Sequence, residues 1–329
     1  MAGKGKRLLP HTLTIPKPLI PIAGKSIVKR LLEEINTLYR GPIGNIGFIV
    51  KDLPSSTKYQ LKDMATELGA QAYFYEQTEA LGTAHAIACA SPILQGPVLI
   101  AFSDTLFKGS LPLDISKEGV IWVNKVQNPS SFGVVQVGSD NLITDFVEKP
   151  TEFVSDLAII GIYYFKKGEI LLQSIQHIID QQICNRGEYQ LTSVLTHMQQ
   201  QGYQFSTQTI EEWLDCGNKE ACLHTNQRFL HFLQDTKGMI ANSAQIHNST
   251  IIPPVYIGEN AIIKQTVLGP YVSVGHNTHI TASHITNSII QEHAKVDKVN
   301  LTNSMIGNHV RVQGKYTEVD AGDYNTIIL

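Results

Sequence analysis

IGENAIIKQTVLGPYVSV (residues 257–274) carries an aliphatic residue at every fifth or sixth position, and glycine follows several of these steps. The steps are Ile257, Ile263, Leu268 and Val274, and they continue through Ile280, Ile290, Val296, Leu301, Ile306 and Val312. An ordinary half-buried sheet would alternate with period two. A recurring step of five or six predicts a solenoid instead, in which each unit is one short strand and a turn. Stacking the units buries the aliphatic ladder. The pattern begins near Met239, where the strong helical periodicity of NKEACLHTNQRFLHFL (218–233) has stopped.

Upstream the pattern is different. SIVKRLLEEINTLYRG (26–41) places Ile27, Val28, Leu31, Leu32, Ile35 and Leu38 at helical spacing, with Ser26 as N-cap and Gly41 as stop. IGFIV (46–50) reads as a buried strand, SSTKYQLKDMATELG (55–69) as a helix and QAYFYEQ (71–77) as a strand. GTAHAIACAS (82–91) reads as a small-residue helix and PVLIAFSD (97–104) as another buried strand. Strands alternating with helices predict an α/β domain with a Rossmann-like, mostly parallel sheet covered on both faces. Ligands in such sheets bind beyond the carboxyl ends of the strands, which draws attention to Gln77 and Asp104.

The 329 residues suit two domains. With 43 % hydrophobic and 17 % charged residues the chain can build a sizeable core. A net charge of −3 without long runs of either sign argues against nucleic acid as a partner. Cys89, Cys184, Cys216 and Cys222 have no metal-ligand spacing, so a reduced, cytoplasmic compartment is expected. No apolar run is long enough for a membrane span, and no signal peptide is visible.

The opening of the chain carries the chemistry. In GKGKRLLPHT (3–12) the glycines Gly3 and Gly5 let backbone N–H groups approach a phosphate, while Arg7 and Lys17 add positive charge. GKGKRLLPHT followed by PKPLIPIAGKSIV (16–28) resembles the signature of the sugar-1-phosphate nucleotidyltransferases, GxGTRLxPxT and PKPLxPV. The glucose-1-phosphate thymidylyltransferases are the branch it resembles most. Further matching stretches follow in order: QTEALGTAHA (77–86), FSD (102–104), FGVV (132–135), FVEKP (146–150), IIGIYYF (159–165) and WLDCGN (213–218). The repeats resemble the left-handed parallel β-helix of hexapeptide repeats that follows this domain in many members.

The resemblance implies a nucleotidyltransferase domain over 1–236 and a left-handed β-helix domain over 237–329. It implies transfer of a nucleotidyl group from a nucleoside triphosphate to a hexose 1-phosphate. By the same resemblance Arg7 holds the pyrophosphate end and Lys17 bridges the reacting phosphates. Ala2, Gly3, Gly5, Gln77 and Gly82 bind the nucleotide, and Gly133, Glu148, Lys149 and Gly161 bind the sugar phosphate. Asp104 and Asp215 hold Mg²⁺, a hard cation suited to carboxylate and phosphate oxygens. Gln77 pairs with a pyrimidine edge, which favours dTTP, with glucose 1-phosphate as acceptor. Guanylyl transfer to mannose 1-phosphate and a UTP-dependent reaction stay open. So does a catalytically silent regulatory subunit, although all five phosphate and metal residues are present.

The sequence also departs from the family pattern. Ala2 stands at a loop glycine position, Lys6 at the threonine, Thr105 where asparagine is frequent, Cys216 where threonine or valine is common, and Gln190 at an acidic position. A buried first strand normally runs into the glycine loop, and here Met1 stands where that strand should be ending. The chain is therefore expected to lack that strand. The solenoid histidines His247, His276, His279, His284, His293 and His309 read as exposed turn residues of a domain that pairs subunits in a homo-oligomer. An acetyltransferase site, present in some relatives, is the alternative.

Overall fold

The computed structural model describes Gly3 and residues 5–109, 111–185, 187–314 and 320–328. The chain forms two compact units. One comprises Met1–Gly3 and Leu32–Trp213, the other Lys4–Leu31 and Leu214–Leu329. Sequence neighbours thus part company: the signature loop belongs with the solenoid. Among the described residues no helix is long and apolar enough to cross a membrane.

The second unit opens with the signature loop, then a hairpin of β1 (Pro21–Ile22) and β2 (Lys25–Ser26) leading into α1 (Ile27–Tyr39). Ser26 Oγ accepts from the Lys29 N–H at 3.3 Å, as expected of a helix N-cap. All six apolar positions read from the sequence of α1 are buried.

The first unit continues with β3 (Asn45–Val50), α2 (Ser55–Glu67), β4 (Gln71–Glu76), α3 (Thr83–Ala88), β5 (Val98–Ala101) and β6 (Thr105–Lys108). It goes on through β7 (Gly119–Lys125), β8 (Gly133–Val137), β9 (Ile143–Glu148), β10 (Leu157–Phe165), α4 (Gly168–Asp180), α5 (Leu191–Gln200) and β11 (Phe205–Thr209). The strand β12 (Glu212–Asp215) leads out of the unit.

The sheet arrangement is mixed. β3 pairs parallel with β4 across the intervening helix, and β11 pairs parallel with β7. β10 runs antiparallel to β5, β7 and β8, and β8 is antiparallel to β9. β3 and β4 are joined by a helical crossover, which returns a strand parallel, and β8 and β9 by a short turn, which reverses it. β10 is the spine of this sheet, and every residue from Ala158 to Phe165 is buried. It packs with α4 and α5 into one core that includes Ile121, Ile159, Phe165, Leu171, Val194 and Phe205.

After α6 (Lys219–Leu233), the second unit winds about five coils of a β-solenoid. Three parallel sheets form its sides. One stacks Ile262–Lys264, His279–Thr281, Lys295–Asp297 and Arg311–Gln313; another stacks Val272–Val274, Ser288–Ile290 and Met305–Ile306. Each of the ten aliphatic steps in the sequence is at most 2 % exposed. The turn glycines serve close approach of coils. A Cβ on Gly275 would meet Gln291 backbone carbon at 2.7 Å, and one on Gly307 would meet Gly322 backbone carbon at 2.6 Å. The left-handed corner positions are filled by other residues. Asn260, Asn277, His293, His309 and Tyr324 all have φ between 55 and 61°. The last three stack their rings, with centroids 4.8 and 4.7 Å apart.

Candidate active site

The residues singled out by sequence fall into two groups, one in each unit; Ala2 lies outside the described residues.

In the second unit, Gly5 starts the first turn of the signature loop with φ 58° and ψ 30°. Its carbonyl accepts from the Leu8 N–H at 2.9 Å and from Thr12 Oγ1 at 3.0 Å. A Cβ on Gly5 would stand 2.9 Å from Thr12 Cγ2 and 3.2 Å from Lys17 Cβ. Only glycine combines that left-handed turn with so close an approach. The loop is thereby folded back until Lys17 lies beside Gly5, and Lys17 itself is buried in the turn Lys17–Leu19.

Arg7 and Asp215 meet at Gly217. A Cβ there would lie 2.7 and 3.1 Å from the two Asp215 carboxylate oxygens and 3.3 Å from Arg7 Nη2. Gly217 therefore keeps open a small polar cradle. Local bonds fix its walls: Thr225 Oγ1 donates to the Asp215 carbonyl at 2.7 Å, and Asn218 Oδ1 caps α6 by accepting from the Ala221 N–H at 2.9 Å. Both Arg7 and Asp215 are exposed. Cys216 points the other way and is fully buried, and burial pushes its thiol well up. It is a packing residue, not a reactive one.

In the first unit, Gln77 directly follows β4 and its side chain is buried. Its Nε2 donates to the Gly82 carbonyl at 3.1 Å and lies 3.2 Å from His85 Nδ1. Gly82 has φ 106°, and a Cβ there would lie 2.5 Å from the Tyr189 carbonyl oxygen. The Gln77–Gly82 loop is thus clasped to residues 189–191, where Leu81 O accepts from Tyr189 N–H at 2.7 Å and Thr83 Oγ1 accepts from Leu191 N–H at 2.9 Å.

Asp104 sits in the turn between β5 and β6. The turn is fixed by the Phe102 N–H, which donates to the Gly161 carbonyl at 2.9 Å, and by Thr105 Oγ1, which donates to the Ile160 carbonyl at 2.8 Å. Gly161, with φ 86°, lies within the register shift of β10, and a Cβ there would be 3.0 Å from the Phe102 ring. The glycine therefore serves the seat of the aspartate turn.

Gly133 and Glu148 are paired across β8 and β9. A Cβ on Gly133 would stand 3.2 Å from Glu148 Oε2 and 3.1 Å from Thr192 Cγ2. Thr192 Oγ1 donates to Glu148 Oε2 at 3.1 Å, while Lys149 Nζ is 3.4 Å from Glu148 Oε1. Lys149 adopts φ 45°, which turns it away from the strand path beside its neighbour. Burial, and then the Glu148 charge, push the Tyr163 phenol up, so it remains a neutral hydroxyl.

Sequence reasoning did not single out Thr192, His85 or Gly217. Thr192 lies in RGEYQLTSVL, two residues after Gln190, which stands at the acidic position and donates from Nε2 to Glu188 Oε2 at 2.8 Å. Gly217 is inside WLDCGN, a glycine two residues after a carboxylate, which is the available signal. Among the described residues no three His, Cys, Asp or Glu side chains group as a metal cage. Asp104 and Asp215 belong to different units.

A family model for nucleotidyl transferases matches residues 1–231. The chain belongs to that family. Its two parts are those of a sugar-1-phosphate nucleotidyltransferase followed by a β-helix. This nucleotidyl transferase is 28 % identical over 333 residues to a glucose-1-phosphate thymidylyltransferase of Streptomyces antibioticus, across 94 % of this chain and 91 % of that one. It is 31 % identical over 267 residues to a bifunctional protein GlmU of Methanococcus maripaludis, across 80 % of this chain and 60 % of that longer protein. A solved structure of a nucleoside-diphosphate-sugar pyrophosphorylase from Vibrio cholerae RC9 superposes with a TM-score of 0.60 at 20 % identity. The match covers 69 % of this chain and 98 % of that one and establishes a shared fold.

Proposed function

We propose that this nucleotidyl transferase joins a hexose 1-phosphate to a nucleoside triphosphate, releasing pyrophosphate, with dTTP and glucose 1-phosphate as its substrates. The observation that carries the reading is the cradle at Gly217, where a guanidinium and a carboxylate face one point beside the glycine loop. The similarity to a thymidylyltransferase over nearly the whole chain favours the pyrimidine nucleotide.

The reaction brings two anions together. An oxygen of the sugar phosphate attacks the α-phosphorus; a new P–O bond forms there as the bond to pyrophosphate breaks. The phosphate is already a nucleophile, so no general base is required. What the protein supplies is position and positive charge. In this reading Arg7 takes the leaving pyrophosphate and Lys17 the reacting phosphates. Lys149 takes the sugar phosphate, and Glu148, aimed by Thr192, accepts from sugar hydroxyls. Gln77 and Gly82 form the base-reading loop, and Gly3 and Gly5 present the nucleotide loop. Asp104 and Asp215 are the residues to hold Mg²⁺, which when bound screens the phosphate charges. The donor set fits: Mg²⁺ is commonly held through one or two carboxylates, with phosphate and water completing its shell. We assign the nucleotidyltransferase domain to 1–236 and the β-helix, over 237–329, to pairing subunits in a homo-oligomer.

The reverse reaction tests the substrate choice. Supplied with pyrophosphate and dTDP-glucose, the protein should generate dTTP, resolved by ion-exchange chromatography. Formation of UTP from UDP-glucose or GTP from GDP-mannose, with no dTTP, would replace the assignment.

A further inference from the structure

The signature loop has little secondary structure of its own, and the last coil of the solenoid holds it. His11 lies in the loop between Arg7 and Lys17, with its side chain 0 % exposed. Its Nε2 is paired with Asp320 Oδ1, while its Nδ1 is buried without a partner among the described residues. Thr14 Oγ1 donates to Asp323 Oδ2. The other oxygen of Asp323 accepts from the Asn308 N–H at 2.6 Å, so one carboxylate ties the loop to the preceding coil. Gly322 lets the two chains touch: a Cβ there would be 2.8 Å from Pro10 Cβ and 3.0 Å from Pro10 O. Asp320 and Ala321 are paired in register with Met305 and Ile306, which anchors the clamp in the solenoid.

We propose that His11 and Asp320 are positioning residues, through which the solenoid's terminal coil preorders the loop that receives the triphosphate. Transmission runs through Thr12, next to His11. Its hydroxyl bonds the Gly5 carbonyl, and its methyl packs where a Gly5 Cβ would be, beside Lys17. A loop released at 10–14 loses the support that sets Gly5 and Lys17. The inference rests on the proposed function for what the loop binds; the clamp itself does not depend on it.

The mechanism predicts which kinetic constant moves. Bound triphosphate can reorder a loosened loop, so the ordering entropy is charged to binding and not to the chemical step. Asp320→Ala should therefore raise the KM for triphosphate about tenfold, leaving kcat and the KM for hexose 1-phosphate within about twofold of wild type. Asp320→Asn, which keeps an acceptor for His11, should retain the wild-type KM. Melting curves verify that both variants fold. Hydrogen exchange of residues 5–19 is measured alongside on the full chain, and Asp320→Ala should exchange faster there while the strands of the first unit do not change. Unchanged exchange in the loop, a fall in kcat at constant KM, or an equal KM increase for both substrates would overturn the clamp. If wild type releases no pyrophosphate, the functional reading falls and the exchange result alone decides the clamp.

Discussion

Replacing Gly217 by alanine separates function from stability. The backbone there is outside the left-handed region, so alanine brings no conformational penalty. The three atoms nearest the new methyl are the two Asp215 carboxylate oxygens and Arg7 Nη2, all at the ends of exposed side chains. To relax from 2.7 Å to an ordinary contact of 3.4 Å, the Asp215 carboxylate must withdraw by about 0.7 Å. A misplacement on this scale costs on the order of 10²-fold in rate. That corresponds to about 2.7 kcal/mol, at roughly 1.36 kcal/mol per tenfold. Folding should change by less than about 1 kcal/mol, since both side chains reach solvent. The assay is steady-state pyrophosphate release across a Mg²⁺ titration, with a melting curve on the same sample. Wild-type turnover and an unshifted Mg²⁺ dependence in a well-folded Gly217→Ala would refute the cradle. A loss of rate explained by a large fall in melting temperature would do the same.

Three further outcomes are expected. Gly82→Ala forces a methyl to 2.5 Å from the Tyr189 carbonyl oxygen, which is backbone and cannot swing aside, at φ 106°; denaturant melts should show a loss of about 2 to 4 kcal/mol, and a change below about 1 would mean the loop is not clasped as described. Ile280→Ala removes a fully buried rung between Ile263 and Val296, a truncation expected to cost about 2 to 5 kcal/mol and read as an earlier melting transition; a neutral result would argue against the stacked ladder. Burial, and then the His177 ring stacked at 4.2 Å, hold His197 below its usual range; the unfolded chain then takes up the proton first, so stability is full above about pH 6.5 and falls as pH drops below it, a slope that His197→Gln should flatten in melts from pH 7.5 to 5.

The ladder and α1 were legible because burial follows their period: the ten aliphatic steps and the six helix positions are all buried. Side-chain period says less about strand direction. β10 is apolar along almost its whole length, as a parallel buried strand would be, yet it is antiparallel to three partners. The candidate residues were legible through motif order, but not their supports. Thr192 aims Glu148, and Gly217 opens the space beside Asp215. The bond from Thr192 to Glu148 and the approach of Arg7 to Gly217 join segments distant in sequence, for which no local pattern exists; the spacing of Gly217 from Asp215 is the one local trace. The clamp on His11 is the extreme case, with Asp320 separated from it by 309 positions.

The most direct measurement of the central claim is pyrophosphate release in the forward direction, with five nucleoside triphosphates each offered against three hexose 1-phosphates in the presence of Mg²⁺. Release should require both substrates together and be fastest with dTTP and glucose 1-phosphate. No release from any of the fifteen pairs by a folded protein would contradict the account and leave a catalytically silent member of the family.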